Sequence, residues 1–140
     1  MSKTEIPADL VITLQRTMCP GACPDYSLSI YGDGKIVYEG RHYVAVKGRQ
    51  EARISTNDIK KLIEEFYESG YFSLKDRYDP IVNDGAITKT SIVADGKTKQ
   101  VVNCHPSQAP ESLYQLEVRI DEVAQSKRWV RRAGQPVLDP

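Results

Sequence analysis

The sequence predicts an α+β domain in which two helices pack on one face of an antiparallel sheet, in the order β-β-β-β-α-β-β-α. Three observations predict it. Short segments of alternating apolar and polar residues recur in pairs around Gly-containing turns, as at Gly32-Asp33-Gly34 and Asp95-Gly96. Two longer segments, one through Ile59, Leu62, Ile63 and Phe66 and one through Leu113, Leu116, Ile120 and Val123, repeat at helical spacing. The strand segments are grouped rather than alternating singly with helices, which favours an antiparallel sheet covered on one side.

A chain of 140 residues suits one domain that buries roughly two thirds of its unfolded surface. Such a domain needs neither disulfide nor metal to hold a core, and we place it at residues 10–130, with 1–9 and 131–140 as flexible termini. Nineteen basic residues balance nineteen acidic ones, so no global field draws nucleic acid or an anionic membrane. No apolar run approaches the roughly eighteen residues of a membrane span. Met1 to Glu5 lacks the apolar core of a signal peptide, which makes the cytoplasm the expected compartment.

The elements follow in order. Ile12 and Leu14 alternate with Thr13 and Gln15 in a first strand, Leu10 to Arg16. Tyr26, Leu28 and Ile30 alternate with Ser27, Ser29 and Tyr31 in a second. A three-residue loop at 32–34 sets Ile30 opposite Ile36, Leu28 opposite Tyr38 and Tyr26 opposite Gly40, and it asks Gly34 for a left-handed backbone. A one-residue slip would set Leu28 opposite Glu39. The third strand runs from Lys35 towards Val46 with a bulge expected at Gly40, and a charged edge strand follows at Gln50 to Ile54.

Ser55 or Thr56 caps the first helix, Asp58 lies against its positive end, and Gly70 stops it. Residues 73–85 lack a period and read as a surface loop. Ala86–Val93 and Lys97–Asn103 form a second hairpin whose register stays open. Pro110 suits the first position of the second helix. Lys127 and Arg128 complement its negative end, and Trp129-Val130 pack back on the sheet.

Several motifs in one order carry a family resemblance. They are Leu14-Gln15-Arg16-Thr17, Cys-x-Gly-x-Cys-Pro-x-Tyr at 19–26, Tyr31-Gly32-Asp33-Gly34 and Tyr38-Glu39-Gly40. Tyr71-Phe72-Ser73-Leu74-Lys75-Asp76, Tyr78-Asp79, Asp84 and Ala109-Pro110-Glu111-Ser112-Leu113 continue the pattern. Over residues 10–130 the chain resembles an uncharacterised microbial family with a domain of unknown function. The resemblance implies a fold and a boundary, not a reaction. Pro20 departs from it, standing where an aromatic or other apolar residue is expected, and Cys104 and His105 lie outside it.

The concentrated chemistry is the knuckle Cys19-Pro20-Gly21-Ala22-Cys23. With Cys104 and His105, these thiols supply the ligand count of a zinc site. Against zinc, the Cys-x₃-Cys spacing is permissive, and neighbours on a strand point to opposite faces unless the chain bends at Pro106. A Cys19–Cys23 disulfide would suit an oxidising compartment, and reduced thiols packed as small apolar groups would suit the cytoplasm. These two readings outrank metal, redox exchange and nucleophilic catalysis, because neither His42 nor His105 is placed as a base by the sequence.

Asp76, Asp79 and Asp84 are candidate cation ligands or turn-capping carboxylates, with capping preferred. Lys127, Arg128, Arg131 and Arg132 around Trp129 resemble a nucleic-acid patch, but zero net charge and a helix C-terminus favour dipole complementation. Of Tyr26, Tyr31, Tyr38 and Tyr43, some must be core, while Tyr31 and Tyr43 are candidates for an exposed face contacting a peptide or small ligand. The expectation is a non-enzymatic binding or interaction module without a cofactor, with a protein or small ligand as partner. The alternative is a thiol-dependent or zinc-binding protein using Cys19 and Cys23.

Overall fold

Strand β1 (Val11–Arg16) is the centre on which the sheet is built, paired antiparallel with β2 (Asp25–Tyr31) on one side and β6 (Ile87–Ala94) on the other. The computed structural model describes residues 6–17, 23–81 and 86–130. Outward from β2 come β3 (Lys35–His42) and β4 (Gly48–Arg53), and outward from β6 come β7 (Lys97–Cys104) and β5 (Arg77–Tyr78). The seven-stranded order is β4-β3-β2-β1-β6-β7-β5, antiparallel throughout except for the parallel β5–β7 pair.

The first hairpin has the expected register: Ile30 faces Ile36, Leu28 faces Tyr38 and Tyr26 faces Gly40. Gly34 has φ +94°, and a Cβ there would run into the carbonyl oxygen of Ile54. The register shifts by one beyond Tyr26, where Asp25 faces His42, so the bulge lies just past Gly40 on β3. The second hairpin, open in the sequence, sets Ala94 opposite Lys97 and Thr88 opposite Asn103. Its two-residue turn places Asp95 at φ 55° and Gly96 at φ 76°, the left-handed pair that matches strand twist.

Helix α1 (Thr56–Glu68) is capped by Ser55, whose side chain accepts from the Asp58 amide at 3.1 Å. It buries Ile59, Leu62, Ile63 and Phe66, a stripe in which each side chain contributes on the order of 2 kcal/mol. Gly70 follows at φ 73°, and a single 3-10 turn (Tyr71–Ser73) buries Tyr71 edge-on against Phe66. Helix α2 (Glu111–Ala124) is tied to α1 by Arg119, which donates to Glu65 at 3.0 Å. Both lie on the sheet face formed by Ile12, Leu14, Leu28, Ile30 and Ile92.

The architecture differs from the predicted element order in identifiable ways. The described residues form three α-helices, because Gln125 adopts a left-handed conformation (φ 54°) that ends α2 and starts the four-residue α3 (Lys127–Val130). Gly or Asn would have marked such a break; Gln does not. Strand β5, expected as loop, is too short to alternate visibly, and it forms because the Val102 amide donates to the Asp76 carbonyl at 2.9 Å. Pro110 is the residue before α2 rather than its first turn. Strand β3 stops at His42, short of Val46, and β4 runs from Gly48 to Arg53, beginning two residues before the expected Gln50. Residues 6–9 are tied down by Asp9, whose carboxylate accepts from the Asp95 amide at 2.8 Å and the Gly96 amide at 2.9 Å.

Candidate functional site

Strand direction brings a set of connections to one end of the sheet. Strands β1, β3 and β7 end there at Arg16, His42 and Cys104, while β2, β4 and β6 begin there. Thr17 and Cys23 at the two ends of the β1–β2 connection, segment 43–47, Ala86 before β6 and the connector from β7 to α2 therefore share one rim. Beneath this rim, on the helix face, lies a cluster of polar side chains.

Arg16 continues the inward parity of Ile12 and Leu14, so its guanidinium enters the space between β1 and α2. Its Nε donates to Asp121 Oδ2 at 2.9 Å and its Nη1 to Thr88 Oγ1 at 3.2 Å. The other oxygen of Asp121 accepts from the Tyr26 hydroxyl at 2.7 Å and from Ser126 Oγ at 2.6 Å. One helical turn earlier on α2, Glu117 is 2% exposed. Its Oε1 lies 3.2 Å from His105 Nε2, and its Oε2 accepts from Asn103 Nδ2 at 3.1 Å. His105 Nε2 is also 2.9 Å from Thr88 Oγ1, so one hydroxyl joins the arginine half of the cluster to the histidine half. Ser107 Oγ donates to Asn103 Oδ1 at 2.6 Å, and the Tyr114 ring meets the His105 ring at 5.0 Å between centroids.

Charge and burial oppose each other here, and pairing wins. Burial is the largest influence on Arg16 and works against its charge, but the charge of and hydrogen bond to Asp121, with Tyr26 and Glu117, together outweigh it and raise the guanidinium pKa above its ordinary value. Burial, then the adjacent Asp121 charge, push the Tyr26 phenol strongly up, so it stays a hydrogen-bond donor. Among the described residues no buried side-chain nitrogen or oxygen lacks a partner. Both oxygens of Asp121 and both of Glu117 are engaged by side chains from β1, β2, β7 and the segments that follow β7 and α2.

The rim is also fixed from the β3 side. Gly40 packs where a Cβ would strike the Val46 carbonyl oxygen and the Tyr38 hydroxyl. Tyr38 donates to that carbonyl at 2.8 Å, and burial pushes its phenol up to about 12. The Val46 amide donates to the Trp129 carbonyl at 2.8 Å, and Trp129 stacks on Tyr38 at 4.9 Å. Tyr43, within this clamped segment, has a left-handed φ of 57° and is 43% exposed.

The predicted residues separate as follows. Cys23 lies at this rim, two residues before β2; Cys19 falls outside the described residues. Cys104 is a buried free thiol. Asn103 and His105 both reach Glu117, so strand alternation puts Cys104 on the opposite face of the sheet from His105. Among the described residues no group of three or more His, Cys, Asp or Glu side chains is placed to hold a metal. His42 faces Asp25 across the β2–β3 ladder, and His105 is linked through the Thr88 hydroxyl to Arg16 at the end of β1.

Asp76 accepts from Lys99 Nζ at 2.8 Å and Asp79 from Arg77 Nε at 2.7 Å, while Asp84 is outside the described residues. Tyr26 and Tyr38 are core. Tyr31 and Tyr43 are exposed, but Tyr31 ends β2 at the turn end of the sheet and Tyr43 lies beyond the other end of β3, so they share no patch. Arg128 donates to the Ala124 carbonyl at 3.2 Å and covers the Trp129 ring at 4.1 Å, which is the expected helix-end role. Arg131 and Arg132 are outside the described residues.

Arg16, Thr88, Asn103, Glu117 and Asp121 were not singled out from sequence. A signal exists for two of them: Arg16 occupies an inward position of β1, and Glu117 interrupts the buried stripe of α2 beside Leu113, Leu116 and Ile120. Two residues of the motifs that carry the resemblance, Arg16 and Tyr26, flank the cysteine loop in sequence and meet at Asp121. The model of the domain of unknown function DUF6438 matches residues 10–124. The chain belongs to this family. No curated protein matches the chain. In this DUF6438 domain no described helix is long and apolar enough to cross a membrane.

Proposed function

We propose that this DUF6438 domain is a non-enzymatic binding module that engages a peptide segment of a partner protein at its loop-bearing rim. One observation carries the reading: connections from separate parts of the chain meet over a polar frame whose members satisfy one another, with Tyr43 exposed in a left-handed backbone. Loops set by a rigid frame are the usual carriers of recognition. An aromatic held in an uncommon conformation marks a position that its surroundings over-determine. Asp25 pairs with His42, so Cys23 precedes β2 close to the start of the Tyr43 segment, and in this scheme Cys19 and Cys23 act through conformation, as a disulfide or as packed thiols.

Panning a random peptide library displayed on phage against the immobilised full chain tests this. Clones enriched by the wild type and lost with Tyr43→Ala are the expected result. Clones indifferent to Tyr43→Ala and to paired Cys19→Ser and Cys23→Ser changes would overturn it. So would turnover on hydrolase or redox substrates that disappears with Cys19→Ser, which would favour the thiol-dependent alternative. Close to one equivalent of zinc in the purified chain would favour the metal alternative.

A further inference from the structure

The two edges of the sheet are unlike. Strand β5 exposes two residues, followed by Pro80, which bridges to Ser107, so that edge is short and turned away. Strand β4 exposes six, Gly48 to Arg53, with no proline and no bulge against β3. The backbone direction on β4 can be read from one bond: the Ile54 amide donates to the Gly34 carbonyl at 2.9 Å. Antiparallel alternation then turns the amides and carbonyls of Ala52, Gln50 and Gly48 inward to β3. Those of Arg53, Glu51 and Arg49 point outward, with no backbone partner among the described residues.

We propose that a second copy of this chain pairs antiparallel with β4 about a two-fold axis at Gln50. Charge decides the register. Outward groups meet outward groups only if the axis passes through a residue, not between two. An axis at Glu51 sets Glu51 against itself and Arg49 against Arg53. An axis at Arg49 sets Arg49 against itself. An axis at Ala52 pairs Glu51 with Arg53 but carries half the ladder into Ile54 and Ser55, where the chain turns away to cap α1. The axis at Gln50 puts Arg49 opposite Glu51 twice, Gly48 opposite Ala52, and two Gln50 amides together, all inside the strand.

Arg49 and Glu51 already bond to each other at 2.6 Å on the sheet face away from the helices, with Lys35 3.7 Å from Glu51. In the dimer each guanidinium gains a second carboxylate at directly opposite strand positions, where opposite charges favour pairing and like charges oppose it. The ladder is short, so the association is weak and belongs to high protein concentration.

Sedimentation equilibrium of the full chain from micromolar to millimolar concentration at low salt tests the proposal. The weight-average mass is expected to rise from 15.7 kDa towards twice that value. Glu51→Arg is expected to weaken association about tenfold or more, and Arg49→Glu combined with Glu51→Arg to restore it, since the exchange keeps opposite charges opposed. Arg49→Glu alone reads the same contact should Glu51→Arg lose its circular-dichroism spectrum. A mass fixed at 15.7 kDa over the whole range overturns the proposal. A dimer as strong in the single charge reversals as in the wild type overturns it equally.

Discussion

At one end of the sheet the strands reverse through residues 32–34 and Asp95-Gly96, turns of two or three residues with left-handed glycines. At the other end the same strands are joined by longer segments, and the order comes from side chains that meet across the chain: Arg16 with Asp121, Glu117 with His105, Tyr38 with Val46. The turn end is stable because each turn suits its own few residues. The rim is stable because groups up to 105 positions apart neutralise one another. A defect at the turn end should therefore stay small and local. At the rim it should leave a charge buried without its partner.

The largest effect expected is at Asp121. Asp121→Ala strips Arg16 of its counter-charge and leaves the Tyr26 and Ser126 hydroxyls without their acceptor, with both members of the ion pair mostly buried. We expect a loss of about 3 kcal/mol in urea unfolding. Replacing Arg16 by Met and Asp121 by Leu together should recover most of it, because apolar packing substitutes for a buried pair more readily than half a pair does. Equal losses in the single and double variants would show that the frame acts by shape and not by charge.

Gly40→Ala comes next, at about 2 kcal/mol, since the added methyl meets the Val46 carbonyl and must push segment 43–47 away from β3. The movement should appear as amide shift changes at Ala45 and Val46, whose amides bond to α3. Gly96→Ala at the turn end should cost about 1 kcal/mol. Its φ of +76° strains an L residue, but nothing lies within 4 Å of the new atom. Its amide shifts should stay within the turn; shifts at the rim would break the comparison.

Asp9 gives the smallest effect and one tied to pH. The amides of Gly96 and then Asp95 hold its carboxyl below its usual 3.8, so the folded state favours the ionised form. That stabilisation is complete above the unfolded value and is lost as pH falls through the lower folded one. Asp9→Ala should thus lower the melting temperature slightly at pH 7, and the gap from wild type should close as pH falls below 3.8 and through the lower folded value. A gap that persists in acid would mean that Asp9 acts by packing alone.

What could be read from the chain was whatever depends on neighbours in sequence. Alternation from Tyr26 to Gly40 determined the first hairpin and its register, because a slip by one residue would have turned Leu28 towards Glu39. The stripe of α1 and its Ser55 cap are local in the same sense. The order β4-β3-β2-β1-β6-β7-β5 and the polar frame are of another kind. Gln125 carried no mark of the break it makes, β5 was too short to show a period, and Thr88 looked like any strand threonine. Only the packed sheet brought Arg16, Thr88, His105, Glu117 and Asp121 together. The physical reason is that a buried charge is tolerated only beside its partner, and which residue that is depends on strand order and helix placement, not on spacing along the chain.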